Sequence, residues 1–315
     1  MKTMRKTLLI FLSTLFIISF PNCSKDKDDS TTPQCLIDSV VKTNTQEDNG
    51  EFYSGIGLLD FTYDTQKRLI NYQWDEDEYG LIIYGTNGKI EKFQEYYNGQ
   101  TYDYLLFTWD GNKVTRQWYL KEGGSYYPSN WKRIIHYNSS NQFTLIEGYY
   151  KDNNVWVKYW YDNYTWQNGN VVKIEEYNHY DTKKTKSSAS TSQKLEPFTR
   201  NELREKNEKD KQIFIAKSQT AGFYKDYTIT FTYDSKKNPF SPHQALYLYG
   251  FDWLFLSKNN VVSINEIDHY DGEEWSLGPI IYQYNNEGYP NVSTVSGSND
   301  WGLWTETWNF SYNCN

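Results

Sequence analysis

Strict alternation of apolar and polar residues, punctuated by Asn-Gly and Asp-Gly turns, constrains this chain more than any other feature. In Tyr227-Thr228-Ile229-Thr230-Phe231-Thr232-Tyr233 the odd positions are apolar and the even ones are all Thr. From Trp304 to Cys314 the even positions read Trp, Glu, Trp, Phe, Tyr, Cys, while the odd ones are polar. Successive side chains of a strand point to opposite faces, so such segments pack on one face and meet water on the other. Turn signals recur at Asp64, Asn87-Gly88, Asn98-Gly99, Asp110-Gly111-Asn112, Asn138–Asn141, Asp152-Asn153-Asn154 and Asn168-Gly169-Asn170. After a gap they resume at Asp234–Asn238, Asn259-Asn260, Asp271-Gly272, Asn285–Gly288 and Ser296-Gly297. These residues supply the positive φ of tight hairpins. The spacing predicts an all-β antiparallel meander of about sixteen strands.

The meander is built from tandem hairpin repeats. Asn170-Val-Val-Lys-Ile-Glu-Glu-Tyr-Asn-His-Tyr-Asp181 aligns without gaps to Asn260-Val-Val-Ser-Ile-Asn-Glu-Ile-Asp-His-Tyr-Asp271, with eight of twelve positions identical. A second element, aromatic-x-aromatic-Asp, recurs as Phe61–Asp64, Phe107–Asp110 and Phe231–Asp234, with Phe310–Asn313 as a weaker copy. Each copy ends a strand and enters a turn. A twisted sheet, a superroll and a barrel-like form all satisfy this pattern.

Aromatic residues make up 18% of the chain, yet its mean hydropathy is −0.83. That combination suits thin, half-exposed sheets better than a thick aliphatic core. One segment breaks the pattern. Residues 181–212 hold nine Lys/Arg, six Asp/Glu and a single aromatic, Phe198. They read as a polar insertion in one hairpin, low in complexity over Lys183–Ser192, with a short polar helix over Glu196–Lys211. A domain boundary near residue 195 is the alternative.

The N-terminus carries a targeting signal. Lys2, Arg5 and Lys6 precede an apolar run, Thr7–Phe20, too short for a finished membrane span. Cys23 lies just past that run, after Pro21 and Asn22. This arrangement resembles a bacterial lipoprotein signal, cleaved after residue 22 and acylated on Cys23. The box Phe20-Pro21-Asn22 and the tag Ser24-Lys-Asp-Lys-Asp-Asp29 are similar to those of Bacteroidota outer-surface lipoproteins. The aromatic-Asp hairpins resemble the YD repeats of RHS proteins. Residues 35–315 as a whole resemble repeat-built Bacteroidota surface lipoproteins of unknown function, which share the Phe-x-Tyr-Asp…Asn-Pro-Phe segment (Phe231–Asp234, Asn238–Phe240) and the terminal Phe-x-Tyr-x-Cys (Phe310–Cys314). The resemblance implies a leader 1–22, a flexible tether 23–34 after lipidated Cys23, and a single β domain over 35–315. It implies an outer-membrane anchor facing outward, and it offers no catalytic residues.

With Cys23 acylated, Cys35 and Cys314 remain, and an oxidising compartment lets them pair. The bridge would pin the two ends of the β domain; two separate buried thiols are the alternative. Removal of the leader takes away three positive charges and no negative ones, moving the net charge from −8 to −11. That argues against nucleic acid as a partner.

Chemistry-bearing motifs are sparse. His179 and His269 match within the repeat, which itself explains them. No CxxC or HxxxH accompanies them, and no cofactor or metal is expected. The acidic stretches Asp75–Glu78 and Asp271–Glu274 read as solvated hairpin loops. There is no GxSxG and no phosphate-binding glycine loop. The expectation is a non-enzyme: a binding module for glycan or protein. A carbohydrate-active hydrolase with two close carboxylates, and a structural accessory subunit of an envelope complex, are the alternatives. Trp118, Trp131, Trp301 and Trp304 are further platforms, but period two places Trp156, Trp160, Tyr164 and Trp166 on one strand face, and these four are the ligand-binding candidates.

Overall fold

The structure is a computed structural model that describes residues 35–48, 51–74, 77–179, 222–241, 248, 257–299 and 302–314. The leader, Cys23, the tether 23–34, the insertion 181–212 with its expected helix, Asp75, Glu76, His243 and Trp301 lie outside the described residues. Residues 34–315 form one compact unit.

The first strands are β1 (Cys35–Asp48), β2 (Glu51–Tyr63), β3 (Leu69–Gln73), β4 (Glu78–Tyr84), β5 (Ile90–Tyr97) and β6 (Gln100–Asp110). Next come β7 (Lys113–Glu122), β8 (Ser125–Tyr137), β9 (Phe143–Asp152), β10 (Val155–Gln167), β11 (Asn170–Asn178) and β12 (Tyr224–Lys237). The last are β13 (Asn259–Asp268), β14 (Glu274–Leu277), β15 (Ile281–Tyr284), β16 (Pro290–Asn299) and β17 (Gly302–Cys314). They form one antiparallel meander sheet in which each strand from β1 to β14 pairs with the next. The series β15–β16–β17 then joins the sheet by pairing β17 with β1. β1 is therefore flanked on both sides, by β2 and by β17.

The two ends of the sheet are β14 and β15. Between them lies Gly278-Pro279, a cis peptide bond where Gly278 has a φ of 128°. One backbone bond, Ile280 N–H to Val262 O at 2.8 Å, continues the contact with β13 past the break, and β15 then pairs with β16. The sheet is not closed into a barrel. Counting β14 and β15 as one interrupted strand recovers the sixteen expected from turn spacing.

The aromatic-x-aromatic-Asp motif has a physical explanation. Its first aromatic faces the core: Phe61, Phe107, Phe231 and Phe310 are all buried. Its second aromatic crosses to the start of the preceding strand and donates to a backbone carbonyl. Tyr63 donates to Ile37 O, Trp109 to Ile90 O and Tyr312 to Pro290 O at 2.7–2.8 Å, and Tyr233 donates to Val171 O. Each bond satisfies a main-chain acceptor where a strand enters the sheet. The acid then organises the turn. Asp64 Oδ1 accepts from Gln66 N–H and Arg68 N–H, both at 2.9 Å, and Asp234 Oδ1 accepts from Lys236 N–H.

Three further hairpins use the same device without the motif: Tyr84 to Leu69 O, Trp166 to Phe143 O and Tyr282 to Val261 O. The long repeat is explained by it too. Val171 and Val261 occupy equivalent repeat positions, both buried, and both present the carbonyl that a tyrosine hydroxyl reaches. Burial raises the hydroxyl pKa of Tyr63, Tyr233, Tyr282 and Tyr312, and that of Tyr84 to about 12.

Glycines give the sheet a second regularity. Gly80 faces Tyr72, Gly148 faces Trp160 and Gly297 faces Trp304, each as a direct cross-strand pair. In all three the aromatic ring occupies the space a Cβ would need. The Asn-Pro-Phe segment closes the core from one end. Asn238 Oδ1 accepts from Phe240 N–H at 3.0 Å, and its amide donates to Ser257 O at 2.9 Å. Phe240 is thereby held against Phe61 and Phe310, at ring distances of 6.3 and 6.0 Å. Cys35 and Cys314 are register partners on β1 and β17 and form the disulfide.

Candidate functional site

The four aromatic candidates of β10 do not share a face. Pairing with β9 slips between Lys158 and Trp160, where Tyr159 bulges out of the ladder. A bulge inserts one residue and reverses the faces on either side of it. Trp160, Tyr164 and Trp166 point into the core: Tyr164 is buried, and both tryptophans pack against the core cluster. Tyr164 and Trp166 fill the two positions of the hairpin unit that Phe61 and Tyr63 fill elsewhere. Trp156 lies on the outward face. Trp131 also turns inward, meeting Tyr150 and Tyr159 at ring distances of 4.6 Å.

Trp156 belongs to an outward patch spread over β8–β12. Its ring carries Lys132 Nζ at 4.3 Å and Lys151 Nζ at 5.9 Å, and Lys132 also lies 5.5 Å from the Tyr149 ring. Tyr161 and Tyr177 pair across strands and stack at 4.7 Å, with Phe223 against Tyr161 at 5.0 Å. Lys158 and His136 both reach Glu147 at 2.8 Å. Burial works against the Glu147 charge, but the hydrogen bonds from Lys158 and His136 outweigh it and hold the carboxyl below its usual range. Burial lowers the ammonium pKa of Lys132, whose head lies on rings instead of in water. A second patch covers β4–β8. Tyr79 stacks on Tyr96 at 4.6 Å and Tyr104 on Tyr119 at 4.8 Å, with Lys92 Nζ 3.9 Å from the Tyr104 ring. Each lysine–ring contact of this kind is worth about 0.5–1 kcal/mol at an exposed site.

The core face of β10–β13 holds a set of groups that the sequence reading missed. Asp162 and Glu176 are direct register partners on β10 and β11. Glu266 and Asp268 follow on β13, with Asp226 on β12 accepting a hydrogen bond from Asn178. Asp162 Oδ1 is enclosed without a hydrogen-bond partner, and Tyr164 OH donates weakly to Oδ2 at 3.4 Å. Burial raises the Asp162 pKa well above the usual carboxylate range, with the Glu176 charge adding to the rise and Arg133 opposing it. Glu266 is raised by burial first, then by Glu176, Asp268 and Asp226. Glu176 and Glu266 occupy equivalent positions of the long repeat, so the repeat carries its acid inward twice. Among the described residues no three metal-ligating side chains converge on a cation site.

His179 and His269 share a backbone pattern and differ in what their rings meet. The backbone N–H groups of His179 and His269 donate to Tyr159 O and Asp226 O, both at 2.8 Å. The His179 ring meets Phe223 at 5.1 Å, and His269 Nε2 lies 2.7 Å from Thr228 Oγ1. Asp271–Glu274 is an exposed turn around Gly272.

No protein-family model matches the sequence, and no curated protein matches it at a significant level. Comparison with solved structures gives distant partial likenesses. A porin-like protein from Bacteroides uniformis is 9% identical, with a TM-score of 0.40 over 88% of this chain and 98% of that one. A porin-like protein from Bacteroides vulgatus is 9% identical, with a TM-score of 0.34 over 87% and 98%. The TcdB2-TccC3-TEV structure is 11% identical, with a TM-score of 0.20 over 82% of this chain and 14% of that one.

Proposed function

We propose that this chain is a non-catalytic recognition module, anchored through Cys23 to the outer membrane and facing outward, whose β8–β12 patch binds glycan. The single observation that supports this reading most is Trp156, a half-buried ring on the outward face with two lysines against it. Flat aromatic faces stack on sugar rings, and the lysines favour sugars that carry carboxylate or sulfate groups. Over β11 and β12 the outward face carries polar side chains, Thr228, Thr230, Thr232, Lys173 and Glu175, and a lysine on a lipid-facing surface costs about 2–4 kcal/mol near the bilayer midplane. A water-facing sheet held above the membrane by a lipid tether fits that polarity. Asp162, the cross-strand partner of Glu176, has its Oδ1 enclosed by the protein, which supports recognition over hydrolysis.

The test is a tryptophan-fluorescence titration of the purified protein against neutral and carboxylated polysaccharides, with chromatography of the products. Saturable binding without new products supports the reading. New products would replace it with the hydrolase. Silence across the panel would move the ligand to a protein of the envelope.

A further inference from the structure

The long strands β1, β2, β16 and β17 run past their neighbours as a four-stranded flap. β2 pairs with β1 from Glu51 to Asp60, in unbroken register. On its other side it pairs with β3 only from Asp60 to Tyr63. Among the described residues nothing pairs with the other edge of residues 54–59, so its main-chain donors and acceptors are turned outward. The opposite edge of the flap, β16 beyond Thr294, is likewise unpaired by β15.

The two edges differ in chemistry. The β16 edge reads Val295-Ser-Gly-Ser298 and is mostly polar. The β2 edge reads Ser54-Gly-Ile-Gly-Leu-Leu59, with no charge, no proline and no bulge, so it lacks the features that usually block strand addition. Residues 54–58 are exposed on both faces; Ile56 is 79% exposed and Leu58 43%. A Cβ at Gly55 would meet no atom within 4 Å, and one at Gly57 only Lys42 Cβ at 3.9 Å, so the face these two share is uncovered, and the exposed Ile56 side chain marks the other.

We propose that this edge is a strand-addition surface whose occupant is a second copy of the chain, pairing β2 antiparallel to β2 about a two-fold axis through Ile56. Unsatisfied backbone groups in extended conformation select an extended strand as partner. Self-pairing centred on Ile56 sets Gly55 opposite Gly57, Ser54 opposite Leu58 and Ile56 opposite itself. No like charges meet over this stretch, and a two-fold axis satisfies both edges at once.

The experiment is sedimentation velocity on the purified full chain in mild detergent, at up to about 0.1 mM. The wild type is expected to form a dimer in reversible exchange. Ile56→Lys and Ile56→Glu are each expected to weaken it at least tenfold with an unchanged circular dichroism spectrum, since Ile56 is exposed. Mixing the two variants is expected to restore a dimer, because the axis sets the introduced ammonium of one copy against the introduced carboxylate of the other. Ser298→Lys on the polar edge is expected to leave the dimer intact. A monomeric wild type, a dimer indifferent to charge at position 56, or no rescue on mixing would each overturn the proposal.

Discussion

The pairing of the first strand with the last makes a quantitative prediction. Cys35 and Cys314 are 279 residues apart in sequence, and the disulfide joins them within the β1–β17 ladder. Replace both with Ser. In the folded protein the ladder still aligns residues 35–46 with 304–314, so the native contacts have little reason to change. The unfolded chain changes a great deal, because it regains the freedom of a very large loop. The chain-entropy relation gives about 19 cal/mol/K for that loop, or about 5.6 kcal/mol at 25 °C. Whole domains are stable by only about 5–15 kcal/mol, so the reduced protein should sit near the edge of folding. Urea unfolding of the oxidised protein and of the Cys35→Ser/Cys314→Ser variant measures the difference. We expect a loss of about 3–5.6 kcal/mol, the lower figure allowing for residual structure in the unfolded chain, together with a larger m-value. A loss under about 1 kcal/mol at unchanged m-value would refute the reasoning: the ends would then not constrain the unfolded chain as the observed topology requires.

The hydroxyl locks should each contribute modestly and separately. Tyr63→Phe, Tyr282→Phe and Tyr312→Phe are expected to cost about 0.5–1.5 kcal/mol apiece by urea unfolding, and changes below about 0.2 kcal/mol would make the bonds ornamental. Gly148→Ala should cost about 1–3 kcal/mol, since the new methyl collides with the Trp160 ring, and near-neutrality would show that the ring is free to move. The core carboxylates set a pH dependence. The pKa of Asp162 is raised in the folded state, so the folded chain holds its proton where the unfolded chain, at about 3.9, has released it. That stability is present below about pH 4 and is lost as pH rises through the folded-state value. Asp162→Asn should therefore gain on the wild type as pH rises above about 4; a melting-temperature difference independent of pH would contradict it.

Much of the fold was legible because its signals are local. Asn98, Gly99, Asn168, Gly169 and Gly272 all adopt the positive φ that their turn positions implied. Phe231 and Phe310 are buried as alternation required, and the strand number followed from turn spacing. The role of the second aromatic in each unit was not legible, because Tyr233 donates to a carbonyl 62 residues away in sequence. The faces of β10 were misjudged for a different reason. Period two holds only within an unbroken ladder, and the bulge at Tyr159 parts Trp156 from Trp160. Asp162, Glu176 and Glu266 escaped notice because a charged residue in a strand is assigned to the water face by default. Their inward position follows from register with buried neighbours, such as Ile146 opposite Asp162, and a single sequence does not carry register across strands.

The most direct test of the account is the fluorescence titration repeated with Trp156→Ala and Lys132→Ala beside Tyr79→Ala, which alters the distant β4–β5 stack. The account predicts that Trp156→Ala abolishes saturable glycan binding and that Lys132→Ala weakens binding of carboxylated sugars more than of neutral ones. It predicts that Tyr79→Ala binds as the wild type does, all with unchanged circular dichroism. Wild-type affinity in Trp156→Ala would contradict it and remove the β8–β12 patch as the recognition surface.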